Sequence, residues 1–207
     1  LQLFGNGPEP VLIFAGIHGD EENSVELIHH LLTTLEHNPE SYQGRAVGII
    51  AVTNPDGFAV NRRTNLHDVD VNRNFPARNW AVGKPGRYFG GKEHSSEPET
   101  QAIIKAVELL SPARIVSIHA ISRGRHGNNY DGPGETIAEL MAQHNGYQVL
   151  KTIGYPTPGS FGSWAGVDRQ IPTITLELPH DLKGDATWHE VGASLLAFIR
   201  GAAVTGE

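Results

Sequence analysis

The chain has 207 residues, a formal net charge of −7 and no cysteine. This length is enough for one domain with a substantial core and is short for two. An acidic balance without a run of Lys and Arg excludes a nucleic-acid-binding protein. No apolar stretch approaches the 18 or so residues that a membrane span requires. We therefore expect one domain, residues 1–207, with neither a nucleic-acid nor a membrane partner.

The absence of cysteine excludes both a disulfide framework and thiol chemistry, and it fits a reducing compartment. We expect a cytoplasmic location on this basis. Because the chain begins at Leu1 rather than Met, this expectation leaves room for a signal peptide that was removed before Leu1. The oligomeric state is not readable from the sequence.

The first half of the chain alternates strand and helix signals before a long segment without period. VLIFAG (11–16) predicts a buried strand, and ENSVELIHHLLTTLEH (22–37) has apolar residues at helical spacing. RAVGIIAVT (45–53) predicts a second strand, closed by the turn signal NPDG. Residues 54–94 are rich in Gly, Pro, Asn and Arg, and a loop of this length is expected only where it is functional.

The second half continues the alternation. SEPETQAIIKAVELL (96–110) predicts a helix with a capping box at its start, and RIVSIHA (114–120) predicts a strand. A helix is predicted over 134–146, residues 147–154 predict a strand or an extension, and the closing elements are a strand over 172–179 and a helix over 187–202. This alternation predicts an α/β fold with a largely parallel sheet, whose strand ends would gather a ligand site.

Polar residues stand at the carboxyl ends of three predicted strands. His18 and Glu21 follow the first strand, and His119 ends the third. A spacing of three brings His18 and Glu21 to one side of a turn, where a nitrogen and an oxygen can reach one zinc ion. Two His and one acid are the ligands of hydrolytic zinc sites. The alternative is that His18 caps a helix and Glu21 serves the helix dipole.

Glu177 stands in mid-strand between Leu176 and Leu178. A carboxylate among apolar neighbours needs a partner, and its desolvation would raise its pKa toward that of a general base. The alternative is a structural ion pair with an arginine.

The segment 54–76 concentrates arginine and asparagine. Arg62, Arg63 and Arg73 lie within a dozen residues, and asparagines are interleaved with them. Arginine forms bidentate pairs with carboxylates, so the cluster predicts a wall that binds an anion. A solvated, charged loop is the alternative.

Five motifs, in the order HGDE, NPDGF, VDVNRNFP, SIH and TLELP, resemble the zinc carboxypeptidases related to carboxypeptidase A. The resemblance runs from about residue 11 to about residue 180. It implies a single-domain, three-layer α/β fold with a mixed, largely parallel central sheet flanked by helices, and a cofactor of one zinc ion. SEPETQA (96–102) and GYPTPGSFGSW (154–164) suggest the branch that cuts the γ-D-glutamyl bond to meso-diaminopimelate in cell-wall peptides.

The resemblance also implies roles for individual residues. His18, Glu21 and His119 correspond to the zinc ligands, and Glu177 to the general base. Arg63 corresponds to the arginine that stabilises the oxyanion, although its neighbour Arg62 is separated from it only weakly. The remaining residues face the substrate: Asn72 and Arg73 correspond to the pair that grips a free carboxylate, and Tyr155 to a tyrosine that closes over the substrate.

The determinants of side-chain preference are harder to read. Gly162 or Ser163 falls where the family sets that preference, and neither is large or charged. Arg123 and Arg125, just after His119, are candidates for a distal pocket.

Two other functions compete with that of a peptidase. A zinc deacylase of N-acyl amino acids, in the manner of succinylglutamate desuccinylase or aspartoacylase, would share the HGxE start, but NPDGF and LELP favour the carboxypeptidase branch. A non-catalytic peptide-binding module on the same fold would lack at least one of the residues that correspond to the catalytic core, and all of them are present here. We therefore expect a metallopeptidase whose partner is a small peptide with a free carboxylate.

Overall fold

A computed structural model describes residues 1–42 and 44–201 of the chain. Over these residues the chain forms one sheet of seven strands in the order β1-β3-β2-β4-β7-β5-β6. The strands are β1 (Gln2–Phe4), β2 (Val11–Phe14), β3 (Val47–Ile50), β4 (Arg114–Ile121), β5 (Gly127–Asp131), β6 (Val149–Leu150) and β7 (Thr173–Pro179). The central strands β3, β2, β4 and β7 are parallel, whereas β1 and β5 run antiparallel to β3 and β7.

Helices cover both faces of this sheet. They are α1 (Glu22–His37), α2 (Pro55–Ala59), α3 (Pro98–Leu110), α4 (Glu135–Asn145) and α5 (Asp185–Arg200), with short 3₁₀ helices at Pro39–Tyr42 and Val71–Arg73 and a π-helix at Gly162–Asp168. Helices α1, α4 and α5 pack on one face, and α3 with the π-helix packs on the other. The predicted three-layer α/β fold with a mixed, largely parallel sheet is confirmed.

The sheet buries its apolar strands on both faces, as parallel sheets do. Every residue of β2 is fully buried, and β4 is buried over all but its last residue. This explains why β2 and β4 read as continuous apolar runs, and why the polar side chains that interrupt or follow them are exceptional.

Three boundary predictions differ from the structure. The predicted capping box at Ser96 is wrong: the hydroxyl of Ser96 donates to Glu97 at 2.6 Å, and α3 begins at Pro98 with no side-chain cap. The strand predicted over 45–53 is shortened to β3. The helix predicted over 187–202 begins two residues earlier, at Asp185, and its predicted end at residue 202 lies outside the described part of the chain.

Sequence reasoning missed β5 and the π-helix altogether. Apart from Tyr130, the segment GNNYD of β5 consists of residues that are depleted in strands, so no alternating apolar pattern marks it. It is a strand because β7 offers it an unpaired edge on the far side from β4. Residues 147–154, predicted as a strand or an extension, contain the two-residue strand β6.

The long segment 54–94 is ordered by asparagine side chains rather than by regular structure. The amide of Asn74 donates to the carbonyl oxygens of Gly90 and Glu93 at 2.8 and 2.9 Å. The amide of Asn65 donates to Glu97 and Glu99, at 2.7 and 3.1 Å. These buried bonds hold the loop against the start of α3 and fix the residues between them.

None of the helices in the described residues is long and apolar enough to cross a membrane. The cytoplasmic location stays a prediction.

Candidate active site

Three of the predicted metal ligands meet at the carboxyl edge of the sheet. His18 and Glu21 lie in the turn between β2 and α1, and His119 is in β4, which is paired with β2. The Nδ1 atoms of the two histidines are 3.2 Å apart. Glu21 Oε1 is 2.8 Å from Nδ1 of His18, and Glu21 Oε2 is 3.1 Å from Nδ1 of His119. All three side chains are buried.

The outer nitrogen of each ring has its own partner. Nε2 of His18 lies 3.1 Å from Oδ1 of Asp70, and Nε2 of His119 lies 2.9 Å from the hydroxyl of Ser117. Such partners orient an imidazole and set its tautomer, which leaves the other nitrogen free to bind a metal. Both Nδ1 atoms are therefore directed at Glu21 and at each other.

The donor set fits a divalent cation. Four ligands at about 2.1 Å in a tetrahedron are separated by about 3.4 Å, and the distances within the cluster are close to that value. Two nitrogens and a carboxylate oxygen are the donors that zinc accepts. Two Nδ1 atoms in contact cannot both carry a proton. A cation between them removes this conflict, and the cluster has the arrangement of a metal site.

The pKa shifts within the cluster agree with a site for a divalent cation. Burial opposes ionisation of Glu21, but His18 and His119 outweigh it and hold the pKa of Glu21 well below its usual range. Burial lowers the pKa of His119 and so favours the neutral imidazole that a metal needs. For His18, burial is outweighed by Glu21 and Asp70, so its pKa is raised in the metal-free protein.

The alternative that His18 caps a helix is not supported. Helix α1 has Glu21 at its N-cap position, but no side chain caps it. The carboxylate of Glu21 instead accepts a hydrogen bond from the backbone of Ala120 at 3.1 Å, which joins the α1 turn to β4.

Two glycines let the two halves of the site approach. A Cβ on Gly19 would lie 2.1 Å from the backbone of Gly57, and one on Gly57 would lie 2.4 Å from the amide of Asn54. Gly19 belongs to HGDE and Gly57 to NPDGF, so these two motifs are in backbone contact. This contact brings the segment that carries Arg63 to the metal cluster.

Glu177 lies beside the cluster. It is directly opposite His119 in the β4–β7 register, so both side chains point to the same face. Burial, together with the nearby charge of Glu21, raises the pKa of Glu177 to about 8. No Arg or Lys forms an ion pair with it within the described ranges, so the structural ion pair that was its alternative is absent.

The structure separates Arg63 from Arg62. Arg63 is mostly buried, donates to Asp70 from Nε at 3.1 Å and from Nη2 at 2.9 Å, and its Nη1 is 3.3 Å from Nδ1 of His18. Arg62 instead pairs with Asp68 on the surface. Of the two arginines, Arg63 is the one at the metal cluster.

A cavity of about 440 Å³ opens in front of the cluster. Its lining includes the three metal-site residues, Glu177 and Arg63, together with the predicted substrate-binding residues Asn72, Arg73 and Tyr155. The eight residues that correspond to the family's metal, catalytic and substrate-binding residues therefore line one cavity.

The substrate side of the cavity is basic and aromatic. Arg73 is buried, donates to the carbonyl oxygen of Asn72 at 2.7 Å, and forms no ion pair with any carboxylate of the described residues. The guanidinium groups of Arg63 and Arg73 lie 5.3 and 5.6 Å from the ring centre of Tyr88.

Two further residues line this side of the cavity. The ring centre of Tyr155, a partly exposed residue, lies 6.5 Å from that of Tyr88. Asn72 accepts a hydrogen bond from the backbone of Phe161 at 2.9 Å.

The candidates for a distal pocket, Arg123 and Arg125, differ in their position. Arg123 pairs with Asp181 on the exposed surface at 2.8 Å and does not line the cavity, whereas Arg125 does. Two histidines of the loops, His67 and His126, also lie outside the cavity lining: Nδ1 of His67 is 2.7 Å from Oε2 of Glu97, and the ring of His126 packs against that of Tyr147.

Sequence reasoning missed Asp70, Ser117 and Tyr88. Asp70 stands between Val69 and Val71, both buried, which is the same signal that drew attention to Glu177. Ser117 is two residues before His119 on the same strand and so shares its face. Tyr88 has no local signal, because its partners are distant in sequence.

The fold and the site together define a class of protein: a metallopeptidase with the zinc-carboxypeptidase architecture. Bovine thrombin-activatable fibrinolysis inhibitor shares this fold at 18% identity, with a TM-score of 0.75 over 92% of this chain and 80% of that chain. The family model of the succinylglutamate desuccinylase/aspartoacylase catalytic domain matches residues 8–106.

Two proteins of higher sequence identity are both murein peptide amidases. Murein peptide amidase A of Escherichia coli K12 is 35% identical over 187 residues, which cover 83% of this chain and 72% of that protein. The crystal structure of murein-tripeptide amidase from E. coli O157 superposes with a TM-score of 0.76 at 31% identity, over 93% of this chain and 82% of that chain. The chain belongs to the murein peptide amidase A family, a family of hydrolytic peptidases.

Proposed function

We propose that this protein, as a single catalytic domain over residues 1–207, is a zinc-dependent peptidase. The bond hydrolysed is an amide next to a free carboxylate, and the proposed substrate is the γ-D-glutamyl-meso-diaminopimelate bond of murein peptides. The observation that carries the proposal is the convergence of His18, Glu21 and His119 in one cavity with Glu177 and with Arg73, which pairs with no carboxylate of the described residues. The family relationship supports the choice of substrate.

One zinc ion held by His18, Glu21 and His119 supplies, when bound, a Lewis acid that lowers the pKa of water toward 7 and polarises a carbonyl group. The ring partners Asp70 and Ser117 keep both imidazoles in the tautomer whose Nδ1 atom faces the cation.

Glu177 is the general base in this proposal. It takes a proton from the attacking water and delivers it to the nitrogen of the leaving amine. Its raised pKa suits both steps, because a group that titrates near neutrality can hold and release a proton. A bound cation adds positive charge nearby and lowers this pKa from the metal-free value.

Arg63 stabilises the charge that develops on the carbonyl oxygen. Its guanidinium is fixed by two hydrogen bonds to Asp70 before any substrate arrives. A donor held in place in this way needs no reorganisation during the reaction, and the loss of one such donor typically costs about 3 kcal/mol.

Arg73, Asn72 and Tyr155 bind the leaving residue. Among the described residues Arg73 is buried without a carboxylate partner, and that is a costly state unless a substrate carboxylate completes the pair. Tyr155 stands at the mouth of the cavity and can close over the substrate.

A deacylase acting on N-acyl amino acids is the second candidate, because the family model of that class matches residues 8–106. That match ends before His119 and Glu177. The binding-module alternative lacks support, since every residue proposed for catalysis faces the cavity.

The test is a substrate panel with the zinc-loaded protein: a γ-D-glutamyl-diaminopimelate tripeptide, the same peptide amidated at the leaving residue, a C-terminal dipeptide series and an N-acyl amino acid. Products are identified by mass. We expect cleavage of the tripeptide, weak cleavage of the amidated peptide, and loss of activity in chelator with recovery on added zinc. Cleavage of the N-acyl amino acid alone would replace the proposal by the deacylase.

A further inference from the structure

Two basic side chains of the cavity lining have no role in the chemistry above and no acidic partner. Arg63 and Arg73 already have proposed roles, and Arg87 has the carboxylate of an aspartate at 3.9 Å. Arg125 and Lys151 also line the cavity. Neither of them forms an ion pair with a carboxylate of the described residues. Each is therefore a candidate for binding an anion of the substrate.

The register of the sheet places Arg125 and Asp131 on opposite sides of the general base. In the pairing of β5 with β7, Gly127 is opposite Glu177, and the rest of β5 runs from there to Asp131, which is opposite Thr173. Arg125 precedes Gly127 in the chain. It therefore lies beyond the level of Glu177 in the other direction.

The groups proposed to bind the leaving residue lie at the Asp131 end of this strand. Asn72, one of these groups, accepts a hydrogen bond from the backbone N–H of Phe161 at 2.9 Å. The next residue, Gly162, packs so closely on the carboxylate of Asp131 that a Cβ there would collide with it. A leaving residue bound at that end leaves the acyl half of the substrate on the side of Arg125.

The backbone of Lys151 lies at the other end of β5 from Arg125. Lys151 follows Leu150, which pairs with Asn129 in the part of β5 that runs toward Asp131. Of the two cations without an acidic partner among the described residues, Arg125 is therefore the one on the acyl side.

The guanidinium of Arg125 is held in place with donors to spare. Its Nη2 donates to the carbonyl oxygen of Ile153 at 2.8 Å, and its central carbon lies 5.7 Å from the ring centre of Tyr155. Its other side-chain N–H groups have no acceptor among the described residues, and a pair of them can bind one carboxylate. Burial raises the pKa of Glu177, and the charge of Arg125 is one of those that oppose this rise. The guanidinium is thus close enough to the general base to act on a group beside the scissile bond.

The proposed substrate carries an anion on its acyl half. In a γ-glutamyl peptide the amide is formed by the side-chain carboxyl group, so the α-carboxylate of the glutamyl residue is free. An ordinary α-linked peptide has no charge at this place. The short glutamyl side chain brings this carboxylate near the carboxyl groups of Glu21 and Glu177, and a cation at the same end of the cavity offsets their repulsion.

We propose that Arg125 binds the free α-carboxylate of the glutamyl residue and so determines the preference for a γ-linked acyl group. The proposal deepens the proposed function and rests on it. Selection of the acyl group is assigned to the segment between β4 and β5, whereas Arg73 selects the carboxylate of the leaving residue.

The test compares two ligands that differ only in the α-carboxyl group. L-Ala-D-Glu is the acyl product of the proposed reaction, and in L-Ala-D-isoglutamine the α-carboxylate is replaced by an amide. Neither ligand contains the leaving residue, so a pocket for that residue cannot influence the result. Affinities for the zinc-loaded protein are measured by calorimetry at low ionic strength, for the wild type, Arg125→Gln, Arg125→Lys and the control Arg123→Gln. Arg123 pairs with Asp181 on the surface and lies outside the cavity lining.

We expect the wild type to bind L-Ala-D-Glu about 5- to 20-fold more tightly than its amide, an effect between those of an exposed ion pair and of a buried charge-assisted hydrogen bond. Arg125→Gln should bring this ratio near 1 by weakening L-Ala-D-Glu alone. Arg125→Lys should retain part of the ratio, because the charge remains, and Arg123→Gln should leave it unchanged.

Three results would overturn the proposal. The first is a wild-type protein that binds the two ligands equally or binds neither. The second is an undiminished ratio in Arg125→Gln. The third is an equal loss of both ligands in that variant, because Arg125 would then act only by holding the segment that carries Tyr155.

This measurement needs no turnover, so the two proposals can fail separately. A protein that prefers L-Ala-D-Glu as described but cleaves no tripeptide keeps the role of Arg125 and loses the proposed function. A protein that cleaves the γ-D-glutamyl tripeptide and its α-amidated form at equal kcat/KM, and binds both acyl products equally, keeps the function and loses the role of Arg125.

Discussion

The metal cluster and the substrate wall face one cavity but are built differently. The cluster comprises His18, Glu21 and His119, and each polar atom in it has a partner within the protein. The substrate wall comprises three residues that line the cavity: Arg73, Asn129 and Asp131. Among the residues that the structure describes, Arg73 has no carboxylate partner, the buried Oδ1 atom of Asn129 has no donor, and Asp131 has no cation partner. Under the proposed function, the completed cluster holds a permanent ion, whereas the incomplete wall is completed by the substrate.

Because of this contrast, we expect mutations at the metal cluster and mutations at the substrate wall to have different effects on activity. Changes at the cluster and at the residues that act beside it should reduce activity on every substrate in proportion. Changes at the wall should alter the ranking of substrates.

The largest effect is expected for Glu177→Gln, which removes the general base and keeps the shape of the side chain. We expect kcat to fall by about 10²- to 10⁴-fold on all substrates while zinc content is unchanged, because general-base catalysis contributes a factor of this size. Turnover by this variant at the parent rate would show that the base has been assigned to the wrong residue.

Arg63→Ala should lower kcat by about 10²- to 10³-fold, because a fixed donor to the developing oxyanion is lost. Arg62→Ala is the matched control, since Arg62 pairs with Asp68 on the surface and should retain nearly full activity. Steady-state kinetics of the two variants decide between these neighbours. An equal loss in both would contradict the separation of their roles.

Arg73→Ala should lower kcat/KM by about 10²-fold on a peptide with a free carboxylate at the leaving residue, since a buried, charge-assisted pair is removed. On the amidated peptide the loss should be small, and the ratio of the two rates is the measurement. If both substrates lose activity equally, Arg73 belongs with the cluster rather than with the wall.

Asp70→Asn should weaken zinc affinity by about 10- to 100-fold, because the carboxylate that orients the ring of His18 becomes neutral. Competition with a zinc-binding dye measures this affinity. Unchanged affinity would mean that the bond between Asp70 and His18 does not support the metal.

The smallest effect is a shift in pH dependence. The base must be ionised, so kcat/KM should fall as the pH drops through the pKa of Glu177. Burial places the midpoint of this acidic limb of the pH profile above pH 4.5, since 4.5 is the ordinary pKa of glutamate. A bound cation keeps the midpoint below about 8. A limb at or below 4.5 would contradict the burial of the base.

The sequence was informative wherever chemistry stands at the end of an apolar strand. His119 and Glu177 interrupt buried runs on β4 and β7, and the pairing of these strands places them side by side. The wall could not be read in this way. Asp131 lies on a polar strand without periodicity, and its close contact with Gly162, which is 31 residues further along the chain, exists only in the folded protein.

The central claim is that His18, Glu21 and His119 together hold one zinc ion, and elemental analysis of the purified protein after reconstitution and dialysis tests it most directly. We predict one zinc per chain in the wild type and in Glu177→Gln. In His119→Ala we predict less than about a tenth of that at the same free zinc concentration, because zinc affinity depends on a complete ligand set. A wild-type protein without zinc, or a His119→Ala variant that retains a full equivalent, would contradict the claim.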